Sequence, residues 1–388
     1  MPESGRGAKA SQAWRTLLQR EDVRELLIPV VAVALALVLG AVLVMVGGKS
    51  PAAAYSALVR GAFGGIGNVA ETLINITPLI FTGLSVAFSF RCGLFNIGAE
   101  GQLIMGQIIA AWAGFALTGL PAVVHMPLAL LAGVAAGAIW GAVPGYLKAR
   151  LGVHEVINTI MMNYIALYLS HYLVIGPLKA PGPLPVTPTI APAARLWRFL
   201  PPTRLHLGVL LAVAAVWLVY YILFRTTLGY EIRAVGQNQE AARYGGISVR
   251  KNIVLAMVIS GGLAGAAGAV QVLGLQHKFL DIFSFTGYGF DGIAVALLGR
   301  NHPLGVLAGA CLFGTLARGA ILMQSIARIP KEIIGIVQAT IVLVVAADEI
   351  IRRFIAPRRK AAAATATTAA AASEVPAGGA EGGADHGA

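Results

Sequence analysis

The chain has 388 residues, of which 57% are hydrophobic and 12% charged, with a mean hydropathy of +0.77. Soluble chains carry about 25% charged residues, so an ordinary soluble domain is excluded and an all-α integral membrane protein is expected. The net charge of +12 does not indicate nucleic acid, because the basic residues flank apolar runs and no basic stripe with interleaved aromatics occurs.

Residues 1–25 are polar and basic (Arg6, Lys9, Arg15, Arg20, Arg24) and read as a cytoplasmic N-terminus. The apolar run 26–46 is long enough for a ~30 Å hydrocarbon core and exceeds the roughly 7–15 residues of a signal-peptide core. It is read as an uncleaved first span. Further runs follow at 73–90, 97–117, 127–147, 156–175, 207–224, 253–275, 288–298, 304–323 and 333–350, ten in all. The run 288–298 is too short to cross as a straight helix; it is either re-entrant or joined to the Gly-rich segment before it. The expected organisation is a transmembrane domain over 26–352, with a cytoplasmic segment at 226–252 and a disordered cytoplasmic tail at 353–388, rich in Ala, Gly and Thr.

Orientation follows lysine and arginine. With the N-terminus inside and all ten runs crossing, the inside segments collect the larger share of the 29 Lys and Arg, so both termini are expected in the cytoplasm. The outside loop 176–204 is stiffened by Pro181, Pro183, Pro185 and Pro188 and reads equally as a partner contact or a spacer.

The run 97–117 opens with amides and a carboxylate. Taken as one helix at about 100° per residue, Asn96, Glu100 and Gln107 share a face. A charge in the bilayer costs at least roughly 2.5–3.5 kcal/mol, so Glu100 needs water on a path, a capping role or a partner such as Arg91. Asp291 poses the same question, with Arg300 as a candidate partner. Gly93-Leu94-Phe95-Asn96-Ile97-Gly98 echoes Gly287-Tyr288-Gly289-Phe290-Asp291-Gly292. One opens inside and the other outside, as an inverted repeat requires.

Several patterns lead nowhere. Gly47-Gly48-Lys49-Ser50 imitates a phosphate loop but lacks the glycine five residues before Gly48. Gly65-Ile66-Gly67-Asn68 imitates a dinucleotide fingerprint with no strand before it. The seven histidines are scattered, and no metal site is expected. The two cysteines, Cys92 and Cys311, form no framework.

In the inside segment 226–252, Gly236 is expected to break the chain. Asn238 can cap a short helix, Glu240 favours its dipole, and Gly245-Gly246 ends it. Such a helix serves as a docking element or an ordinary loop helix.

Three stretches resemble the signatures of one family. They are Leu94-Phe95-Asn96-Ile97-Gly98-Ala99-Glu100-Gly101-Gln102, the segment Ile232-Arg233-Ala234-Val235-Gly236 with Ala241-Ala242-Arg243-Tyr244-Gly245-Gly246-Ile247, and Gly289-Phe290-Asp291-Gly292-Ile293-Ala294-Val295-Ala296-Leu297-Leu298-Gly299. The family is the permease subunits of bacterial ABC importers for simple sugars, nucleosides and branched-chain amino acids, and the first and third stretches look most like its nucleoside (purine) subgroup. The resemblance implies a transport subunit without its own ATPase site, in the bacterial inner membrane. Its partners would be an ATP-binding subunit (single or tandem) carrying ATP-Mg, a second permease in a heterodimer, an extracytoplasmic substrate-binding protein or lipoprotein, and membrane lipid. No cofactor of its own is expected. Coupling carries over onto Arg233, Glu240, Ala241, Ala242 and Gly245.

For a nucleoside passing between rocking helices, the candidate path residues are Phe95, Asn96, Glu100, Gln102, Gln107, Asn158, Asn163, Tyr164 and Asp291. Gln271, Phe285, Tyr288 and Phe290 stand beside them. Amides and carboxylates suit hydroxyls and ring nitrogens, and aromatics suit stacking. Amides also bridge helices, and aromatics also anchor span ends. An ion-coupled secondary carrier and a membrane-embedded transferase are the alternatives.

Overall fold

A computed structural model describes residues 21–281 and 283–345, with side chains from Val30 onward. The readings of 1–20, of the end of the last run and of the tail 353–388 lie outside the described residues. All ten apolar runs fall on helices: α1 (Glu21–Val46), α3 (Ile66–Arg91), α4 (Ala99–Ala116), α5 (Ala122–Leu151), α6 (Glu155–Ile175), α7 (Gly208–Arg225), α10 (Val249–Gln271), α11 (Tyr288–Leu298), α12 (Pro303–Ala327) and α13 (Glu332–Val345). A π-helical turn, Val272–Gln276, prolongs α10. Five helices, α3, α5, α7, α10 with its π turn, and α12, are long and apolar enough to cross a membrane. The protein is an all-helical integral membrane protein.

One helix departs from the sequence reading. α2 (Pro51–Phe63) starts where Ser50 Oγ accepts the Ala53 N–H at 3.4 Å and Pro51 fills the first turn. The false phosphate loop is therefore a helix cap.

In lipid there is little hydrophobic drive between helices, so close backbone packing carries association. α5 presents Gly133, Gly137, Gly141 and Gly145 at four-residue intervals to α10. A Cβ at Gly137 would stand 2.3 Å from the Gly261 carbonyl oxygen, and one at Gly141 2.5 Å from that of Met257. Any larger residue would force the pair apart.

α3 and α10 run antiparallel. Ser85 meets Ser260 (Oγ–Oγ 3.0 Å), whereas Cys92, past the end of α3, lies 3.8 Å from the carbonyl of Asn252, early in α10. Each helix leads into a non-helical segment, and then into a helix that starts part-way along α6. The link 92–98 leads to α4. The Gly101 N–H donates to Asn163 Oδ1 (2.8 Å) and Asn163 Nδ2 to the Ile97 carbonyl (3.0 Å), about 12 Å along α6 from its start at 1.5 Å per residue. The segment 277–287 leads to α11 from the other side: Asp281 pairs with His171 near the far end of α6 (2.9 Å), and Phe285 reaches Tyr164 near its middle (5.2 Å).

α11 has 11 residues, about 16 Å of rise. It ends beside Arg91, which donates to the carbonyls of Asn301 (2.8 Å) and Arg300 (3.4 Å). The short run thus carries the chain on from the Tyr164 level of α6 to the end marked by Arg91, in line with the reading that joins it to the segment before it. α4 and α11 leave a shared centre in opposite directions, which is the inverted arrangement the two echoing motifs suggest. Asn96 lies in the link and not on α4, so Asn96, Glu100 and Gln107 do not form one helical face.

The Pro-rich loop is packed onto this assembly. Thr187 N–H donates to the Phe279 carbonyl (3.0 Å), Ile190 N–H to that of His277 (2.9 Å) and Leu196 N–H to that of Leu273 (2.9 Å). It braces the descent of 277–287.

Candidate functional site

At the centre, where the two broken crossings meet, Glu100 is 0% exposed. Its Oε1 accepts the Thr286 hydroxyl (2.6 Å) and the Gly287 N–H (2.9 Å), and its Oε2 the Gly289 N–H (2.6 Å). These are donors at the start of α11, so the carboxylate caps that helix from another element and meets the positive end of its dipole. Its bonds go to α11; Arg91 spends its own on carbonyls at the helix's other end. The approach is close: a Cβ on Gly289 would stand 2.4 Å from the Glu100 nitrogen.

Asn96, also 0% exposed, donates to Gln102 Oε1 (2.9 Å) and Ser260 Oγ (2.8 Å) and accepts the Gly98 N–H (2.9 Å). Ser260 in turn donates to the Ser85 carbonyl (2.7 Å). Gln102, Gln107 and Asn163 are likewise buried. Phe95 packs on Phe90, ring centroids 5.0 Å apart. Asn158 is half-buried, and its Nδ2 has no partner among the described residues.

A different surface stands open next to this knot. Tyr164 is 45% and Phe290 38% exposed. Tyr164 meets Phe285 edge-on at 5.2 Å, and Phe285 meets Phe290 at 5.7 Å. Asp291, next to Phe290 in the first turn of α11, is exposed, and its carboxylate accepts no side-chain hydrogen bond among the described residues. The structure therefore separates the predicted residues. Asn96, Glu100, Gln102 and Asn163 form a satisfied internal knot, while Tyr164 and Asp291 belong to an open wall with Phe285 and Phe290.

At the end marked by Arg91, α8 (Thr227–Gln237) and α9 (Gln239–Tyr244) lie across the helix ends. Asn238 Oδ1 accepts the N–H groups of Glu240 and Ala241, both at 3.0 Å, the expected cap. α8 runs through Gly236 without the expected break. A side chain there would stand 2.2 Å from the Arg91 carbonyl oxygen, so glycine serves contact and not termination. Gly246, at φ +81, ends the turn. Arg233 points inward, its guanidinium 5.2 Å from the Phe224 ring centroid, with Arg91 5.6 Å from the same ring. Ala242 is buried; Glu240, Ala241 and Gly245 are exposed, and Glu240 pairs with Arg243 at 3.2 Å. Tyr244 is 97% exposed.

A profile of the family described as "Branched-chain amino acid transport system / permease component" matches residues 68–346. The chain belongs to this permease family. It is 48% identical, over 83% of its length and 93% of the relative's, to the guanosine ABC transporter permease protein NupP of Bacillus subtilis. It is 36% identical, over 83% of its length and 91% of the relative's, to the nucleoside ABC transporter permease protein NupB of Lactococcus lactis. A third relative, the glucose ABC transporter permease protein TsgB13 of Haloferax volcanii, is 34% identical over 81% of the chain and 85% of its own length. No solved structure matches.

In this permease, two features escaped the reading of site residues. Thr286, which helps bind Glu100, sits in a loop whose place beside α4 only the fold reveals. Tyr244 had a visible signal: it is an aromatic four residues after Glu240 in an otherwise small, polar helix. Among the described residues no group of three metal-ligating side chains occurs.

Proposed function

We propose that this permease is the membrane subunit of an ATP-driven importer that admits nucleosides to a bacterial cytoplasm, with simple sugars the next class of cargo. The observation that carries the reading is the open wall of Tyr164, Phe285, Phe290 and Asp291. An ionised Asp291 against lipid would cost at least roughly 2.5–3.5 kcal/mol, so this face belongs to water, cargo or a second subunit. Aromatic edges offer stacking to a nucleobase, and the carboxylate accepts ring N–H groups or ribose hydroxyls. Relatives named for guanosine and nucleoside transport support that cargo.

ATP and Mg²⁺ act on partner ATP-binding subunits, which grip the exposed face of α9 at Glu240, Ala241, Gly245 and Tyr244. Arg233 holds the preceding α8, and Ala242 holds α9, against the membrane domain. A second, unlike permease completes the path. The similarity of this chain both to NupP and to a second Bacillus subtilis relative, the guanosine ABC transporter permease protein NupQ (30% identical over 63% of the chain and 79% of the relative), supports such a pair. An extracytoplasmic substrate-binding protein delivers the solute, and both termini lie in the cytoplasm.

The test is nucleoside uptake by proteoliposomes holding the assembled importer. Asp291→Asn is expected to lower uptake about tenfold, the worth of one hydrogen bond to a charged group, and Tyr164→Ala to raise KM. Normal uptake in both variants removes the wall from the path. Uptake with no ATP-binding subunit present overturns the importer reading.

A further inference from the structure

At the end that carries Arg91, α5 and α10 leave a cavity of about 370 Å³ lined by Tyr146, Arg150, Ser248, Arg250, Lys251 and Val254. A neighbouring hollow of about 330 Å³ shares Ser248 and Arg250 and adds Arg243. No carboxylate lines either one. Nearby cations are matched, Lys148 to Glu155 at 2.8 Å and Arg243 to Glu240 at 3.2 Å. The side chains of Arg150, Arg250 and Lys251, by contrast, carry no ion pair or hydrogen bond among the described residues. Three like charges gathered without a counter-charge repel one another, and an anion relieves that repulsion. Ser248 leaves the first N–H groups of α10 without a side-chain cap, which adds to the positive field.

The cavity does not open onto a purely polar surface. Along α5, Tyr146, Val143 and Ile139 are exposed at intervals of three and four residues, so they form one apolar stripe leading away from the basic cleft. A phosphate with hydrocarbon attached matches both parts, whereas a free phosphate matches only the first. We propose that this cleft binds an anionic phospholipid, its phosphate held by Arg150, Arg250 and Lys251 and its acyl chains lying along Ile139, Val143 and Tyr146. Basic pockets between membrane helices recognise headgroups in this way. The site is separate from the open wall and independent of which solute is carried.

The experiment is native mass spectrometry of the full-length permease, released from nanodiscs of phosphatidylglycerol or of phosphatidylcholine with the same acyl chains. Retention of phosphatidylglycerol is expected to exceed that of phosphatidylcholine by at least about tenfold. The preference should vanish when Arg150→Gln, Arg250→Gln and Lys251→Gln are combined, and persist in Lys49→Gln, a control well separated in sequence. If the triple variant does not purify, Arg150→Gln and Arg250→Gln are measured singly, and each is expected to weaken the preference. Equal retention of the two lipids, or a preference unchanged in the glutamine variants, overturns the proposal. Displacement of the lipid by millimolar inorganic phosphate also overturns it, in favour of a free-phosphate site.

Discussion

Two stretches that each set an aromatic and a polar residue between glycines meet at the centre of this permease and serve opposite ends. In Gly93-Leu94-Phe95-Asn96-Ile97-Gly98 the polar residue is sealed: Asn96 bonds Gln102, Ser260 and the Gly98 backbone. In Gly287-Tyr288-Gly289-Phe290-Asp291-Gly292 the polar residue is open, beside an exposed aromatic. In both, a glycine at positive φ, Gly93 or Gly287, turns the chain before the helix begins. Two similar breaks thus hold their polar groups in opposite ways. The lesson is that a polar residue in a span is assigned by who already holds it, not by its chemistry.

The sharpest way to break this comparison is Glu100→Ala, which strips the acceptor from three donors, two of them backbone N–H groups. At about 1–3 kcal/mol for each unsatisfied buried group, the expected outcome is loss of monodisperse protein, checked by size-exclusion chromatography. Asn96→Ala is expected to cost about 1–3 kcal/mol and lower Tm, with the KM for nucleoside unchanged. Asp291→Asn should do the reverse, keeping the wild-type Tm while uptake falls about tenfold. If Asn96→Ala changed KM and Asp291→Asn changed Tm, the contrast between sealed and open residues would be wrong. The smallest effect is expected from Tyr244→Ala: a roughly threefold loss of substrate-stimulated ATP hydrolysis in the assembled importer, as for a partly buried contact of about 0.7 kcal/mol, with no change in Tm.

Much of this was legible in the sequence. Hydropathy located all ten runs, because a continuous apolar stretch in this composition has few other uses. The Asn238 cap and the Gly246 stop were legible because they are local chemistry. Asn96 was misplaced on α4 because its link is held open by Asn163, on another helix, and periodicity does not see such bonds. α2 is announced only locally, by Ser50 and Pro51, and at 13 residues it is too short to stand out as a span. Gly236 looked like a terminator because its reason, the carbonyl of Arg91, lies far away in sequence. Whether a polar side chain ends up sealed depends on which distant groups surround it, so the division between Asn96 and Asp291 could not be read from spacing.

Arg91 has one further consequence. Its carbonyl abuts Gly236 of α8, its guanidinium shares the Phe224 ring with Arg233, and its donors hold the carbonyls just past α11. With no slack at Gly236, α8 cannot shift toward the membrane without shoving this residue, and through it the foot of the half-length helix whose head carries Asp291. One residue thus makes the rim helix and the foot of α11 a single mechanical unit.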